Sequence, residues 1–138
     1  MYSKIMTPVD LAHKGDLVKA LDCTADLARH YGAEVVYVGV TAAAPSATAH
    51  SPAEFAQKLE AFAKEQAETH GITAGSKMVE CHDPAADVDN ALVKATAETG
   101  ADLVVMASHV PSVLDIVWPS NGGKVAEHAK CSVMVVRS

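Results

Sequence analysis

The sequence alternates apolar, β-branched runs with longer segments of helical periodicity, and this alternation limits the chain to few architectures. The apolar runs predict strands at residues 5–9, 34–41, 76–81, 103–107 and 132–137. Helical spacing or helix-start signals predict helices at residues 14–31, 52–70, 84–99 and 121–129. Strands that alternate with helices form parallel sheets through right-handed crossovers. The predicted fold is therefore α/β, an open, doubly wound, five-stranded parallel sheet with helices on both faces.

Local signals mark where several predicted helices start and stop. Gly32, Gly71 and Gly100 each follow a helical segment, and glycine commonly ends a helix. Ser51 and Glu54 have the spacing of a helix cap, in which a hydroxyl and a carboxylate bind backbone N–H groups. The helix that follows carries an apolar stripe, which we expect in the core rather than in a partner interface. Its members are Phe55, Leu59, Phe62 and Ala63.

Charge and composition exclude several classes of function. The 138 residues suit one domain, 1–138, and the formal net charge of −6 argues against nucleic-acid and anionic-membrane surfaces. No apolar run approaches the roughly 18 residues of a membrane span, and no secretory leader pattern is visible. Cys23, Cys81 and Cys131 are scattered without metal-ligand spacing, so we expect small buried or half-buried thiols and no metal site. These features predict a reduced, cytoplasmic protein.

The predicted ligand site lies at the carboxyl ends of the strands, where an open α/β sheet forms a crevice at its switch point. Asp10 follows the first strand, Val40 and Thr41 end the second, and residues 106–109 end the fourth. Together they can hold an adenosine, with an apolar slot for the base. The Asp10 carboxylate can bind a ribose hydroxyl or a water on Mg²⁺. Asp10 has an equally simple alternative role as a helix N-cap or turn former.

Polar residues after the fourth strand suit an anionic ligand. Ser108 can donate to a phosphate or simply end the strand, and His109 can contact a phosphate or lie on the surface. Ser120 and Asn121 precede the last helix, where free N–H groups and the helix dipole favour an anion. Capping alone also explains these two residues. The loop between this strand and the last helix is therefore the predicted phosphate side of the site.

Familiar catalytic motifs are missing from the sequence. It contains no GxxxxGK[ST], no GxGxxG after the first strand, no nucleophile elbow, no HExxH and no paired-cysteine motif. Asp87 and Asp89 lie two positions apart on a predicted helix, so their side chains point to different sides and make a poor catalytic pair. We expect a binding protein rather than an enzyme, with weak ATPase or autophosphorylation activity left open.

Three stretches resemble the universal stress protein (UspA-like) family, and the similarity covers essentially the whole chain. They are residues 5–10 (IMTPVD), 101–109 (ADLVVMASH) and 128–137 (HAKCSVMVVR). The sequence of these stretches is most similar to the small single-domain bacterial branch that contains the F and G paralogues. The resemblance implies the strand order 3-2-1-4-5 and a homodimer in which the last strands of two subunits, here residues 132–137, meet. It also implies ATP or AMP as a ligand.

The nucleotide motif of that family is altered in this chain. Laid on the sequence with its hydroxyl position at Ser120, G-x2-G-x9-G-[ST] places its glycines at Ala107, Val110 and Pro119, with eight rather than nine residues between the last two. Proline has no amide N–H and fixes φ at about −65°, so Pro119 removes a group that would face a phosphate. The adenine side fits better, at Pro8, Asp10, Val40 and Met106. The rest of the predicted nucleotide-binding set is Val9, Ala107, Ser108, His109, Val110, Ser120 and Asn121.

Two functions fit these features. The first is a dimeric stress-response protein with a degenerate ATP or AMP site at the switch point. The second is a protein-interaction module of the same fold that binds no nucleotide, and Val110 and Pro119 favour it. In both cases the apolar last strand lies at a sheet edge that needs a partner. Trp118 is either a packed loop anchor or a subunit contact, and the sequence does not identify a downstream protein partner.

Overall fold

Strands and helices alternate throughout the structure. A computed structural model describes residues 1–42, 49–82, 84–108 and 121–137. The strands are β1 (Lys4–Pro8), β2 (Glu34–Thr41), β3 (Ala74–Glu80), β4 (Leu103–Ala107) and β5 (Ser132–Val136). The helices are a 3-10 helix (Leu11–Leu17) and the α-helices α1 (Val18–Tyr31), α2 (Pro52–His70), α3 (Pro84–Thr99) and α4 (Asn121–His128). None of these described helices is long and apolar enough to cross a membrane.

The strands form one parallel sheet in the order β3-β2-β1-β4-β5. From β1 at the centre, the chain builds outward through β2 and β3, and then returns to add β4 and β5 on the other side. The order reverses between β1 and β4, which is the switch point where such sheets bind ligands. The predicted doubly wound fold and its strand order are confirmed.

Two apolar clusters cover the two faces of the sheet. On one face, Leu21 of α1 and Phe62 of α2 pack in a cluster with Ile5 of β1. On the other face, Leu92 of α3 and Val125 of α4 share a cluster with Met6. Ile5 and Met6 are consecutive residues on opposite faces, as the geometry of a strand requires. Because both faces are covered, the central strands are almost continuously apolar.

Capping residues set the ends of α1 and α2 as predicted. Ser51 Oγ accepts a hydrogen bond from Glu54 N at 3.1 Å, and Glu54 Oε2 accepts one from His50 N at 2.9 Å. The bond from His50 N lowers the pKa of Glu54. Gly32 and Gly71 end α1 and α2 with φ values of 66° and 64°, a backbone conformation that glycine adopts without steric cost. The predicted apolar stripe of α2 lies in the core.

The start of α1 differs from the prediction. The sequence places a helix from Lys14, but the chain forms a 3-10 helix over Leu11–Leu17 and α1 begins at Val18. The physical reason is local, because the Asp10 side chain accepts a hydrogen bond from Ala12 N and winds the chain directly after β1.

The start of β3 also differs from the prediction. This strand begins at Ala74 rather than at Ser76, and its first residues, Ala74 and Gly75, pair with Val35 and Val36 of β2. Backbone pairing needs no apolar side chain, so a pattern of hydrophobicity misses these two residues.

The amino ends of the central strands are joined by Asp102, directly before β4. Its Oδ2 accepts hydrogen bonds from Ser3 N at 2.9 Å and Ser3 Oγ at 3.1 Å, and its Oδ1 accepts one from Lys4 N at 3.0 Å. Partial burial acts to raise the pKa of Asp102, but these hydrogen bonds outweigh it and hold the pKa below its usual value. Asp102 therefore ties β4 to β1 at the end of the sheet opposite the predicted site.

The cysteines have the environments expected from the sequence. Cys81 is buried, and Cys23 and Cys131 are half-buried. All three are free thiols. Burial raises the pKa of the Cys131 thiol. This environment matches small core and near-core residues rather than reactive thiolates.

Candidate functional site

The carboxyl ends of three parallel strands bring most of the predicted site residues to one edge of the sheet. Pro8 ends β1, Val40 lies near the end of β2, and Ala107 ends β4. Val9 and Asp10 directly follow β1, and Ser108 directly follows β4. Of the remaining predicted residues, Asn121 is the first residue of α4. His109, Val110 and Ser120 lie outside the described residues, as do Trp118 and Pro119.

Pro8 interrupts the hydrogen bonding between the two central strands. Val9 N donates to Val38 O of β2 at 2.8 Å, so Pro8, one residue earlier, faces β4 instead. Proline has no N–H to give to the ladder between β1 and β4. Within these described strands, the β1–β4 pairing accordingly ends at Met6 and Val104, although β4 continues to pair with β5. The carboxyl ends of β1 and β4 are therefore not paired with each other at the switch point, and we call this position the crevice.

The apolar site residues divide between the two faces of the sheet. Val9 and Ala107 belong to the cluster under α1 and α2. Val40 and Met106 belong to the opposite cluster, under α3 and α4. Val9 and Met106 are almost completely buried, so they support the edge from inside. Val40 and Ala107 are half-buried and can contact a ligand.

Asp10 lies just beyond the carboxyl end of β1, with its carboxylate held by two groups of the chain. Its Oδ1 accepts a hydrogen bond from Ala12 N at 3.0 Å, and its Oδ2 contacts Nδ1 of His13 at 2.8 Å. The side chain of Asp10 is only 9% exposed. The capping role weighed for Asp10 in the sequence is confirmed, and each carboxylate oxygen keeps further capacity to accept a hydrogen bond.

His13 contacts the candidate site residue Asp10, although the sequence pattern does not indicate it. It lies three residues after Asp10, and its side chain is 42% exposed beside the carboxylate. The available signal was the spacing of an acid and a histidine within one turn, directly after a strand. Periodicity placed His13 outside the predicted helix, where no contact with Asp10 was apparent.

The backbone at Ser108 continues the sheet beyond β4. Ser108 N donates to Val136 O of β5 at 2.8 Å, so this residue is fixed by the sheet on its backbone side. Its side chain is half-buried. Ser108 and Asp10 thus follow the ends of β4 and β1, and both start from anchored backbone.

The first turn of α4 contains two glycines, Gly122 and Gly123, and packing does not require a glycine at position 123. At Gly123, a Cβ atom would meet no described atom within 4 Å. Close packing against a neighbouring described helix therefore does not explain the glycine. The predicted alternatives, an approach by a ligand or simple tolerance, both stay predictions.

A cavity of about 630 Å³ lies beside the candidate site rather than within it. Leu11 and Lys14 line it from the 3-10 helix, and Lys58 and Phe62 line it from α2. Its described lining includes no residue of β4, so this cavity is separate from the switch point. The predicted nucleotide site and the described lining of this cavity share no residue, although Leu11 of the cavity directly follows Asp10.

The described residues hold no ready-made metal site. Within residues 1–42, 49–82, 84–108 and 121–137, no three His, Cys, Asp or Glu side chains come together as metal ligands. Binding of Mg²⁺ by Asp10 through a water molecule stays a prediction.

Comparison with known families identifies the chain. A sequence model of the universal stress protein family matches residues 1–137. The chain belongs to the universal stress protein family. This assignment agrees with the strand order and with the switch-point crevice described above. Assignment to the branch of the F and G paralogues stays a prediction.

Solved structures of universal stress proteins share this fold. A family member from Burkholderia pseudomallei is 24% identical with a TM-score of 0.73, covering 99% of this chain and 97% of that one. The protein from Archaeoglobus fulgidus in complex with dAMP is 19% identical with a TM-score of 0.63, covering 97% of both chains. A family protein from Arabidopsis thaliana with AMP bound is 13% identical with a TM-score of 0.65, covering 98% of this chain and 91% of that one.

Proposed function

We propose that this protein binds an adenine nucleotide, ATP or AMP, in the crevice between β1 and β4 and acts in a stress response. The observation that carries the proposal is that the β1–β4 pairing ends at Met6, before Pro8, with Asp10 and Ser108 just beyond the ends of the two strands. Asp10 suits a ribose hydroxyl, and Ser108 suits a phosphate. Similar structures that hold dAMP and AMP support this ligand class.

The proposed site is degenerate on its phosphate side. Ala107, Val110 and Pro119 stand at the glycine positions of the family's nucleotide motif. Pro119 supplies no amide N–H to a phosphate, and Val110 supplies no charge. Binding energy then comes mainly from the adenosine half, and added phosphates contribute little. We expect the Kd values of AMP and ATP to agree within about threefold, a difference of about 0.7 kcal/mol.

Thermal unfolding with AMP and with ATP, each with and without Mg²⁺, tests the proposal. A ligand that binds only the folded state at 100 times its Kd stabilises that state by about 2.7 kcal/mol. We expect a rise in Tm for the unaltered protein and a much smaller rise for Asp10→Ala. Asp22→Ala, which changes an exposed aspartate on α1, is the matched control and should keep the full rise. No rise at millimolar nucleotide would contradict the proposal and favour the nucleotide-free interaction module.

The proposed assembly is a homodimer through β5. This strand is at an edge of the sheet, and its Met134 and Val135 are 41% and 37% exposed. Exposed apolar side chains on an edge strand favour pairing with a second copy of the chain. A charge placed there should weaken the dimer, because a lysine in such a contact loses its hydration.

Light scattering at micromolar concentration tests the dimer. We expect twice the monomer mass for the unaltered protein and a shift towards monomer for Val135→Lys. Val18→Lys is the matched control, because Val18 is also an exposed valine, at 55%, but lies at the start of α1. A monomer for the unaltered protein would contradict the proposal. Equal dissociation of both variants would exclude β5 as the interface.

The remaining elements of the proposal concern the domain organisation, location and mode of action of the chain. The whole chain acts as a single domain in the cytoplasm, and it works by binding nucleotide and a protein partner rather than by catalysis. A nucleophile or general base aimed into the crevice would favour hydrolysis instead. Incubation with ATP should therefore leave the nucleotide intact over hours, as checked by chromatography.

A further inference from the structure

We propose that His13 is a positioning residue of the nucleotide site, because it fixes the Asp10 carboxylate in the orientation that receives a ribose hydroxyl. The juxtaposition that carries the inference is the 2.8 Å contact between His13 Nδ1 and Asp10 Oδ2, just beyond the carboxyl end of β1. The inference rests on the proposed nucleotide-binding function and adds a residue to its site.

The carboxylate of Asp10 is held at two points, one for each oxygen. The bond from Ala12 N to Oδ1 is the N-cap bond of the 3-10 helix. The contact of His13 with Oδ2 adds no further cap. It stops the carboxylate from rotating about its terminal torsion, which is broad in the absence of such a contact. The second contact thus sets direction rather than helix stability.

The backbone around His13 brings the imidazole back over Asp10. The φ and ψ angles of His13, −131° and 43°, are not helical, so the 3-10 helix is kinked at this residue. His13 N donates to Asp10 O at 3.0 Å, which ties the two residues through the main chain as well. Val9 N is bonded to β2, so the whole turn starts from a fixed strand. Few degrees of freedom are left between β1 and the carboxylate.

The chemistry of the pair defines the ligand group. An ionised carboxylate only accepts hydrogen bonds, so Nδ1 of His13 carries the proton in this contact. Each oxygen of Asp10 then has one chain donor and can accept another hydrogen bond. A group that donates from two adjacent positions, the 2′ and 3′ hydroxyls of a ribose, matches these acceptors. A carboxylate held in place binds such a group more tightly, because less orientational freedom is lost on binding.

Calorimetric titration with two ligands separates positioning from other roles. The probes are AMP and 2′,3′-dideoxy-AMP, and the proteins are the unaltered chain, His13→Ala, His13→Asn, Asp10→Ala and the double variant. Asparagine can present an amide N–H at about the place of Nδ1, so it can restore the contact. Thermal unfolding without ligand checks that each variant folds.

We expect His13→Ala to weaken AMP binding by about tenfold, a typical loss for a residue that orients a ligand-binding group. His13→Asn should stay within about threefold of the unaltered protein. Dideoxy-AMP should bind all proteins with intact folds about equally, because it lacks the hydroxyls. In the Asp10→Ala background, His13→Ala should cause no further loss, since the positioning residue acts through the carboxylate.

Several results would overturn the inference. Equal losses for AMP and dideoxy-AMP in His13→Ala, or a further loss in the Asp10→Ala background, would show that His13 acts without Asp10. An unchanged Kd for AMP in His13→Ala would show that it has no role in binding. If the unaltered protein binds neither nucleotide, the proposed function and this inference fail together. If His13→Ala fails to fold, His13→Leu replaces it in the titration. Normal AMP binding by His13→Leu would then also refute the inference.

Discussion

The Asp102→Asn substitution tests whether one carboxylate joins the two central strands at the start of β4. Asp102 accepts hydrogen bonds from Ser3 N, Ser3 Oγ and Lys4 N. Asparagine has nearly the same shape but one acceptor oxygen, and its NH₂ group would face donors on the other side. Hydrogen bonds to charged groups contribute about 1.5–3 kcal/mol, and less where they are partly exposed. We expect the free energy of unfolding to fall by about 1–2 kcal/mol.

Thermal or urea unfolding measures this loss. For a domain of this length, a loss of about 1.5 kcal/mol lowers Tm by about 5 °C. Asp22→Asn removes the same charge from an exposed position of α1 and serves as the control. That control should change the free energy of unfolding by less than about 0.5 kcal/mol.

The difference between the Asp102→Asn variant and the unaltered protein should depend on pH. Folding lowers the pKa of Asp102, so its carboxylate stabilises the protein above the unfolded pKa of about 3.9. That contribution disappears as the pH falls through the lower folded pKa. The difference should be complete near neutral pH and shrink below about pH 4. A difference that is absent at neutral pH, or that stays constant to about pH 3, would refute the reasoning.

Two further substitutions test the sheet. Pro8→Ala supplies an N–H towards β4, so the amide of residue 8 should become protected from hydrogen exchange and nucleotide affinity should fall as the crevice narrows. An unprotected amide in NMR exchange would contradict the account of Pro8. Gly39→Ala places a Cβ atom 2.8 Å from the Phe55 ring and 3.2 Å from Leu59, which should lower the free energy of unfolding by about 1–3 kcal/mol. Adding Phe55→Leu, a smaller side chain, should recover part of that loss in denaturant titrations. An unchanged free energy of unfolding for Gly39→Ala alone would show that α2 shifts without cost.

The parts of the fold that could be predicted are those with local chemical causes. Ser51 and Glu54 form their capping bonds within one turn, and Gly71 adopts its positive φ as the helix ends. The start of β3 could not be predicted in this way. Ala74 and Gly75 join the strand because β2 offers free backbone groups beside them, a fact of tertiary structure.

The candidate site shows the same division. The sequence indicates Asp10 because an acid follows an apolar strand, and the structure places it at the predicted edge. Pro8 was expected only as an adenine-side residue. Its effect on the ladder depends on which neighbour it faces, and that follows from the register between Val9 and Val38. The contact of His13 likewise depends on a backbone kink that no periodicity predicts.

The central place of β1 has a consequence for how the chain matures during translation. Residues 4–80 supply β1, β2 and β3, so three of the five strands can assemble soon after these residues leave the ribosome. The other edge of β1 stays unpaired until β4, which begins at Leu103, emerges. A nascent chain that has emerged past β3 but not yet as far as β4 exposes the unpaired apolar edge of β1. Such partly folded species are the ones that chaperones shield. Its vulnerability to aggregation should therefore peak late in synthesis.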